Sequence, residues 1–242
     1  LIDHFFVQNQ LSKDLLDSIR ITQNTIAGDT RFDRVKQLIH QDNQLEFMDD
    51  FKQNNQLIVV GSSWPKDEEL FIELIHSKLK NNWKIVFAPH NLNENEINSF
   101  INKLNSKVVR FSDLAQTSKQ ELHEAKLFIL NTIGILSKVY SYADITYIGG
   151  GFGAGIHNTL EAVTFGHPVV FGPKYKKFQE AIDLIKVGGG FSISNQAEFN
   201  HIFEQLIENE SFRKEAGKKA GDYVQKSPQA TKIILDYLSS KL

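Results

Sequence analysis

The sequence predicts an α/β fold, a Rossmann-like parallel sheet with helices on both faces, and three observations carry the expectation. Short apolar runs recur at 57–60, 85–88, 108–111, 127–130, 145–148 and 169–171, each of strand length. Stretches of helical periodicity lie between them, the alternation of βαβ units whose strands are covered on both faces and so read as continuous apolar runs. Third, five of the seven residues 149–155 are glycine, directly after one apolar run and ahead of a helical stretch. Glycine lets that loop take positive φ and lay amides against a ligand, and the dipole of the following helix would favour an anion such as phosphate.

Taken in order, Leu11, Leu15, Leu16 and Ile19 recur at helical spacing and lead to a short strand at 25–27. Residues 28–33 then cross into a helix reaching about His40, with Asp29 or Thr30 as N-cap. The run 57–60 ends at Gly61, and Ser62, Ser63, Trp64 and Pro65 turn into a helix with an acidic first turn, Asp67, Glu68 and Glu69. The strand 85–88 breaks at Pro89-His90, and residues 94–104 form the next helix. Strands at 108–111 and 127–130 flank a polar stretch, 112–124, that reads partly as loop. The glycine loop should pass into a short helix opening at Asn158, stop at Gly166 and return as the strand 169–171. After Pro173 come a helix at about 176–186, a turn at Gly188-Gly189-Gly190, a strand at 191–193 and three more helices. Ligands of such sheets lie at the carboxyl ends of the strands, so the loops 61–65, 88–91, 131–134 and 149–155 should line one crevice.

Composition narrows the function classes. The 242 residues carry 27 basic and 29 acidic side chains, and the densest basic group is only Lys174, Lys176 and Lys177, which argues against a nucleic-acid surface. The absence of cysteine excludes disulfides, thiolate chemistry and cysteine-based zinc sites, and fits a reducing compartment. No apolar run approaches the ~18 residues of a membrane span. The chain opens at Leu1 and its one methionine is Met48, so it is expected to begin inside a longer parent protein.

The candidate chemistry has competing readings. Gly149-Gly150-Gly151-Phe152-Gly153-Ala154 fits the dinucleotide pattern G-x-G-x-x-A, but that fingerprint belongs in the first βα turn with an acid at the end of the next strand. Here several strands precede it, and the next strand ends in Phe171-Gly172. Asn158 and Glu161 have the spacing of a capping box, while Glu161 at the mouth of the loop could instead accept from two ribose hydroxyls. His157 either donates to an anionic ligand or fills a turn. Ser62 and Ser63 are helix caps, hydroxyl donors to phosphate, or both. His90 has no carboxylate near it in sequence and reads as structural. No metalloprotease, nucleophile-elbow or P-loop pattern is present.

A set of motifs in fixed order carries a resemblance. It comprises Gly28-Asp29-Thr30-Arg31-Phe32-Asp33, Gly61-Ser62-Ser63-Trp64, Thr132-x-Gly134-x-Leu136 followed by Tyr140 and Ala143-Asp144, Gly149-Gly150-Gly151, His157-Asn158-x-Leu160-Glu161, and Gly172-Pro173 with Phe178. Together they resemble the C-terminal half of the 3-deoxy-D-manno-octulosonic acid (Kdo) transferases of lipopolysaccharide synthesis. The resemblance implies the C-terminal half of a GT-B glycosyltransferase, which holds CMP-Kdo while an N-terminal half receives the lipid A precursor at the cytoplasmic face of the bacterial inner membrane. It implies transfer with inversion and without a metal or other cofactor. The general base, a glutamate, and the membrane anchor would lie in the N-terminal half, so this chain alone is expected to be inactive.

By the same resemblance, residues 1–28 are the tail of the N-terminal acceptor domain and crossover, 29–225 the donor domain, and 226–242 a helix packing back toward the N-terminal half. Gly150, Gly151, His157 and Asn158 would surround the donor phosphate, Glu161 would hold the ribose, and Gly134, Ile135 and Leu136 would lie along the cytosine. Ser62 and Ser63 match a hydroxyl pair, and Arg31 a basic position facing the cleft. Many relatives have Pro-Arg-His where this chain has Ala88-Pro89-His90, so Arg31 or Lys177 is expected to replace the missing charge. Lys177 stands where many have Asn, Asn131 replaces a frequent Asp, and Ile156 replaces a Gly. The rival readings are a GT-B domain using a UDP-sugar and a non-catalytic nucleotide-binding module.

Overall fold

A computed structural model describes residues 2–241. Leu1 and Leu242, the outer ends of the first and last expected segments, lie outside the described residues. The chain begins β1 (Phe5–Val7), α1 (Gln10–Ser18), β2 (Asn24–Ile26), α2 (Thr30–Leu38) and α3 (Glu46–Lys52). There follow β3 (Gln56–Ser63), α4 (Pro65–Glu73), β4 (Trp83–Pro89), α5 (Glu94–Leu104), β5 (Val108–Arg110), α6 (Lys119–Glu124) and β6 (Leu127–Ile129). Next come α7 (Leu136–Val139), β7 (Ile145–Ile148), α8 (Leu160–Val163), β8 (Val169–Phe171), α9 (Gln179–Val187) and β9 (Gly190–Ser192). Three helices close the chain, α10 (Gln196–Glu208), α11 (Glu210–Gln225) and α12 (Ala230–Ser239).

The central sheet has seven parallel strands in the order β5-β6-β4-β3-β7-β8-β9. The chain enters at β3, adds β4, passes to the edge strand β5, comes back to lay β6 between β5 and β4, then crosses to lay β7 on the other side of β3. That reversal is the switch point of a doubly wound sheet, where a crevice opens beyond the strand ends. Both sheet faces are covered, with alternate residues of each strand going to opposite cores. Val59, Val86 and Phe128 face Phe32, Phe51 and Leu160 on one side. Ile58, Val60, Ile85 and Phe87 face Phe71, Phe100, Phe199 and Phe203 on the other. Phe71 anchors this second core, with its ring edge-on to Phe87, Tyr147, Phe199 and Phe203 at 4.8–5.4 Å.

Element existence follows the sequence reading closely, with four corrections. The strand expected at 57–60 runs on to Ser63, because Gly61 pairs with Ala88 and Ile148 on its two flanks. The stretch 112–124, read as partly loop, is a 3₁₀ turn and α6, which Ser118 caps by accepting from the Glu121 amide at 3.2 Å. The helix expected from about 176 starts at Gln179, since Lys174 is bonded to the glycine loop and the Phe178 amide closes a turn onto the Tyr175 carbonyl. β1, α3 and the one-turn α7 are not anticipated by the sequence. α3 has no side-chain cap of its own: its N-terminal amide at Leu45 bonds to the Tyr142 hydroxyl, 97 residues away, at 2.7 Å.

β1 and β2 form a separate two-stranded parallel sheet joined by α1. The last helix packs on it, with Tyr237 stacked on His4 (4.4 Å) and edge-on to Phe6 (5.3 Å). Asp33 on α2 accepts from the Thr231 amide (2.6 Å), tying the same helix to the main body.

Candidate functional site

The loops after β3, β4 and β7 meet at the switch point, and one carboxylate joins two of them. Asp67 sits in the first turn of α4 and is fully buried. Its Oδ2 accepts from the Trp64 amide (3.0 Å) and the Gly150 amide (2.9 Å), and its Oδ1 accepts from the Tyr147 hydroxyl (2.8 Å). Burial raises its pKa, partly offset by the bonds from Gly150, Tyr147 and Trp64. Sequence reasoning saw Asp67 as an acid suited to a helix start. That role is real, but a cap signal cannot reveal that the capping oxygen also holds a loop 83 residues away, or that the other oxygen takes the Tyr147 hydroxyl.

The glycine loop is closed on itself more than its composition suggests. Gly150 has φ +91° and lies against the Gly155 carbonyl and the His157 ring, so a side chain there would be both strained and overlapped. Its carbonyl accepts from Gly153 (2.9 Å) and Gly155 (3.2 Å), and the Gly149 amide goes to Gly61 (2.9 Å). The expected row of bare amides is therefore shorter, and Gly150, assigned to the phosphate, has turned its amide to Asp67. Among the described residues, the amides of Gly151, Phe152, Ala154, Asn158 and Thr159 are left without a protein acceptor. The helix expected to open at Asn158 begins at Leu160 and is one turn long, so its dipole adds little.

The capping box, one of the two readings of Asn158 and Glu161, does not form. Asn158 Oδ1 accepts from the Leu160 amide (3.1 Å), and its Nδ2 donates to Glu161 Oε1 (3.1 Å), so Glu161 bonds to the side chain and not to the backbone amide. Glu161 is half-buried and keeps Oε2 unbonded to protein.

His90, read as structural, is brought into the site instead. Its ring stacks on Trp64 (centroids 4.5 Å, 21°) and on His157 (4.4 Å, 26°). The Trp64 indole N–H also donates to His157 Nε2 at 3.2 Å. With Nε2 accepting, the His157 proton lies on Nδ1, and the ring is a neutral donor. Burial and then His90 lower the His157 pKa, with Asp67 opposing them.

The other expected residues are placed unevenly. Ser63 is buried and donates to Glu68 Oε1 (2.8 Å), so it neither caps α4 nor stands free for phosphate. Ser62 has φ +52°, is half-buried and bonds to no protein group through its side chain. Gly134 (φ +97°) is exposed beside Ile133, which is 86% exposed, while Ile135 and Leu136 pack on the core at the start of α7. Arg31 is not a free cation: it forks onto Glu180 at 2.9 and 3.3 Å and bonds Asp29 at 2.8 Å, at the edge of a separate cavity of about 500 Å³ lined by Gly28, Phe32, Asp183 and Tyr223. Lys177 is exposed, on the segment that runs along the glycine loop and lays Phe178 against Gly155.

Gly61, the residue before this crevice, has no room for a methyl group, because its Cβ would overlap the hydroxyl of the fully buried Tyr140. Gly61→Ala is expected to cost about 1–3 kcal/mol as an overpacked site, lowering Tm by roughly 2–10 °C in a chain of this size. Thermal unfolding measures this, and an unchanged Tm would mean that Tyr140 can withdraw freely.

No protein-family model matches the chain. It is 26% identical over 196 residues to a 3-deoxy-D-manno-octulosonic acid transferase of Chlamydophila psittaci, covering 78% of this chain and 44% of that protein. It is 25% identical over 214 residues to the same-named enzyme of Rickettsia bellii, covering 86% and 49%. The chain thus spans about half the length of the curated relatives it matches. Among solved structures, the C-terminal CMP-Kdo binding domain of WaaA from Acinetobacter baumannii superposes with TM-score 0.61 at 20% identity, over 82% of this chain and all of that one. Anabaena HepE, solved with UDP and glucose, gives TM-score 0.56 at 14% identity over 99% of this chain and 64% of that one. These likenesses establish the fold as that of a GT-B glycosyltransferase domain.

Proposed function

We infer that this chain is the CMP-Kdo-binding domain of a Kdo transferase that adds Kdo to a lipid A precursor in lipopolysaccharide biosynthesis. The observation that carries the reading is that the glycine loop, His157, Asn158 and Glu161 gather at the switch point of a parallel sheet, in a chain aligned over most of its length with Kdo transferases. The amides of Gly151, Asn158 and Thr159 and the Nδ1–H of His157 would receive the donor phosphate, with Ser62 as a hydroxyl donor beside them. These groups are fixed before the donor arrives, so they suit the negative charge that grows on CMP as it departs. Glu161 would hold the ribose, with Asn158 steering one of its oxygens, and Gly134, Ile135 and Leu136 would lie along the cytosine.

Transfer with inversion, without a metal, needs a base and an acceptor surface, and we assign both to an N-terminal half beyond this chain. Residues 1–28 and 226–242 would pack with that half. In support, β1 and β2 stand apart from the seven-stranded sheet and α12 packs on them. The donor domain would be 29–225, working at the cytoplasmic face of the inner membrane. Among the described residues no helix is long and apolar enough to cross a membrane. The UDP-sugar reading has the UDP-bound HepE likeness in its favour. Calorimetry separates the two, with CMP expected to bind better than UMP, UDP or CDP. Turnover by the full parent protein separates a transferase from a binding-only module.

Glu161→Gln tests the ribose assignment. The bond from Asn158 survives in the amide, so Tm should stay within about 2 °C. A ribose diol loses a charge-assisted hydrogen bond worth roughly 1.5–3 kcal/mol, so CMP affinity should fall at least about tenfold. Unchanged CMP affinity with a lowered Tm would remove Glu161 from the site.

A further inference from the structure

Of the cations near the glycine loop, Lys177 is exposed and, among the described residues, unpaired, but it stands on the segment that follows the loop and not at the ends of β3 and β4. Arg31 is forked onto Glu180 and Asp29, and Lys174 Nζ donates to the Gly153 carbonyl at 2.7 Å. His157 cannot carry a proton on Nε2 without losing the bond from Trp64. His90 is different. It is exposed, its imidazole nitrogens bond to no protein group among the described residues, its backbone amide is pinned to the Ser63 carbonyl at 2.9 Å, and its ring is stacked on both Trp64 and His157.

We propose that His90 supplies the cation that recognises the donor's phosphodiester, and that it takes up a proton as the ligand binds. The inference rests on the reading of this crevice as a nucleotide-sugar site. The indole face of Trp64 stabilises an imidazolium stacked on it, in the manner of a cation–π pair. His157 remains neutral and donates through Nδ1, so the stack divides the work: one ring brings the charge and the other a directed hydrogen bond. The charged groups around His90 are Asp67, enclosed behind the stack by Tyr147, Gly150 and Trp64, and Glu68, enclosed with Ser63. Glu96 of α5 adds a third carboxylate, lining with Glu68, Pro89 and Asn91 the small hollow beside Trp64. An arriving phosphodiester favours a cation on the stack.

The probe is the methyl phosphodiester of CMP, whose single charge does not titrate near neutrality, with cytidine as the uncharged control. Calorimetry at about pH 7.5 in buffers of different ionisation enthalpy should register uptake of up to one proton per diester bound, and none for cytidine. Diester affinity should rise as pH falls from about 8 to 6, by at most about tenfold per pH unit. His90→Gln should abolish both the uptake and the pH dependence and weaken the diester about tenfold or more at low pH. His90→Phe keeps a ring in the stack and should behave the same, which guards against a loss caused by disrupted packing. Diester binding without proton uptake, or with uptake that persists in both variants, would overturn the role of His90 and leave the nucleotide site intact. Failure of CMP, the diester and cytidine all to bind would remove the nucleotide site and this inference with it.

Discussion

Asp67→Ala is expected to unfold this protein about 10 °C below the parent chain and to abolish measurable nucleotide binding. The carboxylate satisfies three donors, and two of them, the Gly150 amide and the Tyr147 hydroxyl, lie in buried bonds. A buried donor left without its acceptor costs roughly 1–3 kcal/mol, so the loss should be about 4 kcal/mol, the Trp64 amide being nearer to solvent. At roughly 2–4 °C per kcal/mol that is a large fall in Tm. Asp67→Asn discriminates the cause. Its carbonyl oxygen can keep the two amides while the Tyr147 hydroxyl turns to accept from the new NH₂. The buried charge also disappears, and burial already works against that charge. Asn should therefore lie within about 1 kcal/mol of the parent and retain CMP binding. If Ala were as stable as Asn, the three bonds would not be what holds the loop to α4.

Acid should destabilise the fold through His167, at the opposite end of the sheet from the crevice. Part of this residue reaches the surface, but Nε2 is buried and has no partner. Burial, with Lys52 adding to it and Asp144 opposing, brings its pKa down from 6.5 to about 4. The folded state thus disfavours the imidazolium, while the unfolded chain binds the proton near its ordinary value. Stability is complete above about pH 6.5 and declines as pH falls toward about 4, by about 2–3 kcal/mol, with the partial exposure of the residue favouring the lower figure. Denaturant melts at pH 7, 5.5 and 4.5 measure the slope. His167→Leu replaces an unpaired buried nitrogen by apolar volume, so it should be near neutral at pH 7 and reduce the acid slope by up to one proton. An unchanged slope in His167→Leu would assign the acid response to other groups.

Much of this architecture could be read from local patterns, because the forces that set it act over a few residues. Strands buried on both faces must be apolar throughout, so 85–88, 127–130 and 145–148 announced themselves, and Asn93 and Asp29 cap their helices by accepting from amides two or three residues ahead. The order of helices and strands then implied a parallel sheet and located its crevice. Local patterns also placed His157, Asn158 and Glu161 at one loop end, since they are neighbours in the chain.

The working surface of the crevice was settled by contacts between distant segments. Asp67 and Gly150, Trp64 and His157, and Tyr142 and Leu45 are bonded across 83, 93 and 97 residues. A carboxylate three residues into a helix looks the same in sequence whether its second oxygen faces water or a buried tyrosine hydroxyl. The same holds for cations: Arg31 reads as a free positive charge until Glu180, 149 residues on, is found beneath it. His90 reads as a lone histidine until the parallel register of β3 with β4 and β7 brings it against Trp64 and His157. Sequence fixes the periodicity and the caps because those energies are local, whereas the charge and the free hydrogen-bonding capacity left for a ligand depend on what the rest of the fold has already taken.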